Sequence, residues 1–467
     1  MTPNLQGARY QVNVINPKSY LKKLAYLPLL LVTACSITPE QPDYVQLIST
    51  EQQRVTEWQN LPQQTDVAYL NDLVDSDMFE ELLQIAMQSN PGLQQTLLTL
   101  QIRQSQLIQA SGEKRPFVSA GFSALNSSDS DASFGADVSV SWQADLWGKL
   151  ADNERAADLD ITEQTLLYQS ARDTLAASVM QVWLTLIAQQ RALDIEQQRQ
   201  ASLQQTEDFI VQRYRQGLGT LEDLDSARSA VATSSANTEA LAENFRQQYI
   251  QLKTLIGQVN NPNFSLPTDY PEVVIPAIDL PEQTLNRRPD LRAAYAAIEA
   301  SSARTDVAYK DLLPSLSLQA VLEDVGSSPR ASLFTAPVWS LLGQLTAPLY
   351  QGGQLRAAAE ISELDTAISY QQYRDTLLNA VTEVEQAISQ EQALVKRQQH
   401  IETALASAEN NLRQYQANYR SGLLNILDLL TVQQQTYDLQ SQLDDLIYQR
   451  LLNRISLGLA LGLEAKA

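Results

Sequence analysis

Between residues 149 and 216, and again between 354 and 421, the chain contains neither proline nor glycine. A run of about 68 residues with no breaker reaches on the order of 100 Å as an α-helix, at 1.5 Å per residue. Helices of that length belong to coiled coils rather than globular bundles. The spacing agrees: Ile401, Leu405, Ala408, Leu412, Tyr415 and Tyr419 step 4,3,4,3,4, and Leu377, Val381, Val384 and Ile388 step 4,3,4, the rhythm of a heptad seam. Gly217 and Gly422 end the two runs, and glycine at a helix end supplies the turn that sends the chain back. Both are expected to be hairpin tips.

The chain also repeats itself. Asn90-Pro91-Gly92-Leu93 corresponds to Arg288-Pro289-Asp290-Leu291, and Pro116 to Pro314, each at an offset of 198. Further on, Gly148 corresponds to Gly353, and RYRQGLGTLEDL with Gly217 and Asp223 to NYRSGLLNILDL with Gly422 and Asp428, now at 205. The extra residues fall in a hairpin loop. Each half is therefore predicted to run helix, strand, hairpin, strand, very long helix, turn, helix.

The strands alternate. Phe134, Ala136, Val138, Val140, Trp142, Ala144 and Leu146 take every even position of FGADVSVSWQADLW, with mostly polar or small residues between. Val118, Ala120, Phe122 and Ala124, and Leu316, Leu318, Ala320 and Leu322, do the same, and Leu341, Gly343, Leu345, Ala347 and Leu349 form the weakest case. A period of two makes one apolar face and one wet face. Four such strands, with Trp142, Trp147 and Trp339 near their ends as interface aromatics, read as part of a transmembrane β-barrel; a soluble sheet packed on helices is the other reading of the strands alone. Four strands cannot close a barrel, but three copies would give a twelve-stranded wall and gather the long helices into a tube. A conduit is the expected outcome.

Composition narrows the alternatives. A net charge of −21 argues against nucleic acid as a partner. With one histidine and one cysteine in 467 residues, a zinc site, a Ser–His–Asp triad or a redox pair has almost nothing to be built from. His400 lies in a polar helical stretch and reads as solvated. No catalytic residue, metal ligand or cofactor motif is assigned; a two-carboxylate hydrolase is a remote option with no paired acids to support it.

Residues 18–36, KSYLKKLAYLPLLLVTACS, place three lysines before an apolar stretch of secretory-signal length. They end in Val32-Thr33-Ala34-Cys35, which resembles a bacterial lipobox and implies cleavage before Cys35 and acylation of its thiol. Removing residues 1–34 takes away Arg9, Lys18, Lys22 and Lys23 and no acid, so the mature chain is more acidic still.

With this lipobox, LNRRPDLRAA (285–294), LLPSLSL (312–318), SWQADLWGKL (141–150), APLYQGGQLR (347–356) and the paired tips RYRQGL and NYRSGL, the chain resembles the outer-membrane efflux lipoproteins of the TolC superfamily, OprM-like (NodT) branch. The resemblance covers essentially the whole mature chain. It implies a mainly α fold with a β-barrel, the TolC-type channel-tunnel: four transmembrane strands and long coiled-coil helices per protomer, twelve strands and twelve helices as a homotrimer. It also implies a palmitate-bearing lipoprotein among outer-membrane lipids, extending into the periplasm of a Gram-negative bacterium. There it would work with a periplasmic adaptor and an inner-membrane efflux pump in multidrug resistance. A type I secretion exit duct and a periplasmic adaptor lipoprotein are the alternatives. The segments expected are a signal peptide (1–34), an irregular anchor and linker (35–80), a first repeat (81–257), a proline-rich equatorial segment without helical period (258–285), a second repeat (286–462) and a tail (463–467).

In that family, aspartates and tyrosines at the hairpin turns shut the periplasmic end of the tube. Carried over by position, the resemblance implies a gate of Asp223, Asp428, Tyr419 and Tyr214. Asp428 would form a threefold acidic ring and Asp223 would pair with Tyr419 across adjacent hairpins. Three carboxylates around a narrow pore repel one another and attract cations. Some relatives carry arginine two residues after the second tip glycine; here that position is Leu424. The simpler reading of Asp223 and Asp428 is that they cap the returning helices, and the two roles are compatible. Arg287 and Arg288 read chiefly as part of a helix start, with partner or headgroup binding as the other reading.

Overall fold

The computed structural model describes residues 42–466 except Thr56, Asn60, Gln63, Asp75, Asp129 and 260–265. In chain order the elements are α1 (Tyr44–Gln52), β1 (Gln64–Thr65), α2 (Asp77–Ser89), α3 (Pro91–Gly112), β2 (Phe117–Ser127), β3 (Ser130–Ala144), α4 (Lys149–Arg215), α5 (Leu221–Leu255), β4 (Ile275–Pro276), α6 (Pro281–Arg287), α7 (Pro289–Lys310), β5 (Ser315–Gly326), β6 (Val338–Thr346), α8 (Gln354–Arg420) and α9 (Ile426–Ala460). Cys35 and the signal segment lie outside the described residues. Two compact units form: Glu113–Asn153 with Ala303–Glu363, and Asp43–Gly112 with Glu154–Ser302 and Leu364 onward. They cut across the repeats, because each repeat contributes a strand pair to one unit and helices to the other.

The strand unit is one antiparallel sheet in the order β2-β3-β5-β6. Its register joins the four separate alternations into continuous faces. Val118, Val140, Ala320 and Leu341 lie side by side across all four strands, and so do Ala120, Val138, Leu322 and Trp339. On the opposite face Ser119 meets Ser139, their hydroxyls 2.7 Å apart, and Gly121, Asp137 and Glu323 form another row. The apolar face is open: Val118 is 63% exposed, Leu341 69% and Trp339 75%. A water-soluble monomer rarely carries a patch of this kind. The outer edges of β2 and β6 have no partner strand among the described residues. No helix among the described residues is long and apolar enough to cross a membrane.

One charged residue stands on the apolar face. Asp324 pairs in register with Ala136, yet is only 4% exposed. Its carboxylate accepts from the backbone N–H of Thr335 at 2.6 Å and of Ala336 at 3.1 Å, so the β5–β6 loop folds back and satisfies it. At the opposite end, Trp142 and Trp147 donate their indole N–H to the carbonyls of Lys114 and Pro314 at 2.9 and 2.6 Å. A ring with one apolar body and one polar contact suits the edge of an apolar layer.

In the helical unit, α4 and α8 are 67 residues each, and α5 and α9 are 35 each. Both long helices end alike. Gly217 and Gly422 take φ of 74° and 76°, Leu218 N–H donates to Arg213 O, and Leu423 N–H donates to Asn418 O. This is the left-handed closure glycine permits without steric cost. The heptad seams face inward: Leu377, Val384 and Ile388 are buried and Val381 half-buried. The largest apolar core gathers Leu70, Leu73, Phe79, Met180, Trp183 and Leu184, with the Phe79 and Trp183 rings 6.2 Å apart.

The irregular segments are more ordered than expected. Asp43 caps α1 by accepting from Gln46 N–H, a short 3₁₀ turn spans Leu70–Leu73, and α6 begins on Pro281, where proline's missing N–H costs nothing. These elements are too short and weakly amphipathic to register as a period. Chain-distant contacts hold them: β1 pairs with β4 in parallel, and Gln52 donates to the Tyr373 hydroxyl at 3.0 Å.

Candidate functional site: the hairpin tips

The two hairpin tips of one chain pack together. Ile210 of α4, Leu224 and Ala227 of α5, Tyr419 of α8, and Ile426 and Leu429 of α9 form a small apolar core beneath the turns. Tyr419 is its aromatic centre, 5% exposed, with the Phe209 ring edge-on at 5.9 Å. The guanidinium of Arg213 lies 5.4 Å from the centroid of the Tyr419 ring, within the range of a cation–π contact. Arg213 also donates to Leu218 O at 3.1 Å, tying the ring to the first turn. Burial pushes the Tyr419 phenol above its ordinary range, with the nearby Arg213 opposing and Asp223 adding to the rise. The phenol is neutral at physiological pH.

Asp223 is half-buried and turned toward its own helix. Its carboxylate accepts from Thr220 N–H at 3.0 Å, and the Thr220 hydroxyl accepts from Asp223 N–H at 3.1 Å, a reciprocal capping box. Within the chain no hydrogen bond joins Asp223 to Tyr419; Arg213 is the polar group on the ring. Asp428 differs. Asn425 performs the cap, accepting from Asp428 N–H at 2.8 Å, and leaves the Asp428 carboxylate exposed, with no hydrogen bond or ion pair to the described residues. Tyr214 is 42% exposed, and its carbonyl accepts from Gly217 N–H. The two matched tip aspartates therefore differ: Asp223 is half-buried and occupied in a cap, and Asp428 is exposed with its carboxylate unengaged among the described residues. Leu424, two residues after Gly422, is half-buried, and the cation near Tyr419 is Arg213 of the other hairpin. Arg213 lies in the quoted tip motif, but its role depends on how two distant hairpins align, which spacing along one of them does not show.

Among the described residues no group of three His, Cys, Asp or Glu side chains could hold a metal ion. His400 is exposed. Of the two arginines before Pro289, Arg287 pairs with Asp279 at 2.6 Å, while Arg288, 8% exposed, bonds Asp290, Glu383 and the carbonyl of Ala460. Both serve the local fold.

A sheet with one greasy and one wet face, two open sheet edges and paired hairpins with a polar tip define a channel built from several copies. The family model for outer membrane efflux proteins matches residues 82–258 and 280–463, and the chain belongs to that family, within the TolC superfamily. It is 30% identical to the pyoverdine export outer membrane protein OpmQ of Pseudomonas putida, over 73% of this chain and 72% of that one. It is 24% identical to the cation efflux system protein CusC of Escherichia coli, over 94% and 98%. The fold is shared with VceC of Vibrio cholerae (TM-score 0.77, 21% identity, 85% of this chain and 99% of that one) and with MtrE of Neisseria gonorrhoeae (0.77, 20%, 92% and 98%). The protein is thus an outer-membrane channel of a tripartite efflux system in a Gram-negative bacterium, a homotrimer acting with a periplasmic adaptor and an inner-membrane pump.

Proposed function

We propose that the trimer is a passive conduit that performs no chemistry, and that its periplasmic end is gated by Asp223, Asp428, Tyr214 and Tyr419 together with Arg213. The observation that carries the conduit is the register of the sheet, which sets the rows Val118-Val140-Ala320-Leu341 and Ala120-Val138-Leu322-Trp339 on one face and places Ser119, Ser139, Ser141, Gln319, Asp137 and Glu323 on the other, among a few apolar residues such as Val321 and Leu342. In a closed barrel the first face meets hydrocarbon and the second meets water. The gate reading is supported by the free carboxylate of Asp428, whose threefold repetition would place three negative charges at the constriction. The cargo is a set of small solutes delivered by the pump; relatives named for pyoverdine export and for cation efflux show the range this architecture serves.

Deleting the gene and measuring sensitivity to dyes, detergents, antibiotics and metal cations tests the reading. Sensitisation to at least one class, reversed by the intact gene but not by one lacking residues 207–228, supports it. Unchanged sensitivity to the whole panel contradicts it.

A further inference from the structure

Both hydrogen bonds that Asp173 accepts, from the Ala465 N–H and from Gln169, fall on Oδ1. Its Oδ2 has no hydrogen bond, and the carboxylate no ion pair, to the described residues, although Asp173 is only 3% exposed. Burying a carboxylate oxygen is costly unless something meets it. Asp173 lines a cavity of about 620 Å³ between α4, α8, α9 and the start of α7. Asn453, 6% exposed, lines the same cavity; its Nδ2 donates to Ala387 O at 2.8 Å, which leaves its Oδ1 without a donor. The charged groups around the cavity are Asp173, Asp290, Glu383 and Arg288, and Arg288 is already engaged by the other two acids. Two buried acceptors and an excess of negative charge call for a donor that is itself positive. Leu452, Leu459 and Leu463 line the cavity as well and give it an apolar wall.

The cavity has a definite side. On α9, Gly458 backs onto Leu70 and Leu73 of the 3₁₀ turn, whereas Gln449 lines the cavity. On α4, Val179 and Trp183 enter the core that holds Leu70, whereas Ser170 and Thr174 line the cavity. Nine positions separate Gly458 from Gln449, Val179 from Ser170 and Trp183 from Thr174, about two and a half helical turns each. The cavity therefore lies on the face of the helical layer opposite the short irregular elements.

We infer that this cavity is a binding site for amphipathic organic cations: primary or secondary ammonium compounds whose N–H groups reach Asp173 Oδ2 and Asn453 Oδ1 while an apolar body lies on Leu452, Leu459 and Leu463. Its volume is that of a small-molecule site, about 300–1,000 Å³. In a tube walled by the long helices the short elements go outside, where the perimeter has room for them, so three copies of the site face the passage. That placement rests on the conduit reading; recognition of the ammonium group does not. A site along a passage must bind well enough to be entered and loosely enough to be left. One carboxylate and one amide meet that demand.

Fluorescence polarisation of monodansylcadaverine, a primary amine on an apolar fluorophore, tests recognition on the intact trimer in lipid nanodiscs at pH ~8, where Asp173 is ionised. Saturable binding is expected. Asp173→Asn, which keeps the acceptor for Ala465 N–H, is expected to weaken it about tenfold. Gln390→Glu, an exposed position on the same cavity, is expected to tighten it about threefold. Absence of saturable binding, equal binding by Asp173→Asn, or equal binding of the N-acetylated, uncharged probe overturns the site. In planar bilayers the same amine is expected to lower the unitary current, and Asp173→Asn to relieve the block. A channel that conducts but ignores the amine overturns the placement in the passage and leaves the conduit standing. Bilayers without conductance steps overturn the conduit, while recognition is still decided by the nanodisc titration.

Discussion

Asn90 and Arg288 stand 198 positions apart and close the same joint in the two repeats. Asn90 donates to the carbonyl of Leu255 at 2.7 Å, and Arg288 donates to that of Ala460 at 3.0 Å, each carbonyl lying at the end of the returning hairpin helix. Leu255 and Ala460 are themselves 205 apart, the offset of the hairpins. Beyond each carbonyl a glycine, Gly257 or Gly462, takes φ of 71° or 74°. One repeat uses a neutral amide where the other uses a buried cation, which needs Asp290 and Glu383 to neutralise it. The same joint thus carries two different energetic risks.

Arg288→Ala leaves Glu383 without its cation and the Ala460 carbonyl without its donor, and is expected to cost about 3 kcal/mol. Asn90→Ala loses neutral hydrogen bonds only, about 1–2 kcal/mol. Denaturant unfolding of the detergent-solubilised protein checks the order; equal losses would show that the Arg288 cluster is not coupled to stability.

Gly257→Ala would set a Cβ 2.2 Å from the carbonyl oxygen of Ser89, whereas at Gly217, with a similar φ, a Cβ meets open space. The first substitution is expected to cost roughly 3 kcal/mol or more, the second about 1 kcal/mol. Thermal unfolding of the two variants side by side measures the difference.

Asp173 gives the helical unit a pH dependence. It is 3% exposed and accepts from Ala465 N–H at 2.8 Å and from Gln169 at 2.9 Å, holding the C-terminal segment against α4. Burial, with nearby Glu464 adding, pushes its carboxyl up to about 6, against the hydrogen bonds and Arg172. The folded form therefore prefers the proton more than the unfolded chain does. That stabilisation is complete below pH ~4 and is lost as pH rises through about 6. Asp173→Asn keeps the acceptor for Ala465 N–H and removes the charge. Its melting temperature is expected to exceed that of the unsubstituted protein at pH 8 and to match it near pH 4; parallel profiles would exclude the linkage.

At the tips, Arg213→Ala removes the cation from the Tyr419 ring, a contact of about 0.5–1 kcal/mol. The looser packing is expected to raise single-channel conductance. Asp428→Ala, which disturbs no cap, is expected to raise conductance and to weaken block by divalent cations. If Asp428→Ala leaves both unchanged, the acidic ring is wrong even if the channel is right.

Much of the fold is legible in the sequence because its periods are long and uninterrupted. A run of 68 residues without a breaker fixes a helix wherever its neighbours lie, and the alternation around Val138 fixes which side of β3 is greasy. The repeat then doubles every signal. What escapes is set by partners far along the chain. Arg213 acquires its role from Tyr419, and Asp43 caps a helix, α1, held in place by Tyr373. Asp324 breaks the apolar face because a loop eleven residues on returns to bond it. At the tips the glycine turns follow from spacing, but which aspartate is engaged in a cap depends on Thr220 in one hairpin and Asn425 in the other. Asp223 reaches back to the Thr220 backbone, whereas Asp428 does not reach back to Asn425.

The central claim is that the sheet's greasy face meets lipid and its wet face encloses water once three chains have assembled. Reconstituting the purified mature protein in a planar bilayer tests this most directly. Discrete conductance steps, from a preparation that is trimeric in detergent, are the expected result. A polypeptide that remains monomeric and dissolved without detergent, and leaves the bilayer electrically silent, would contradict it.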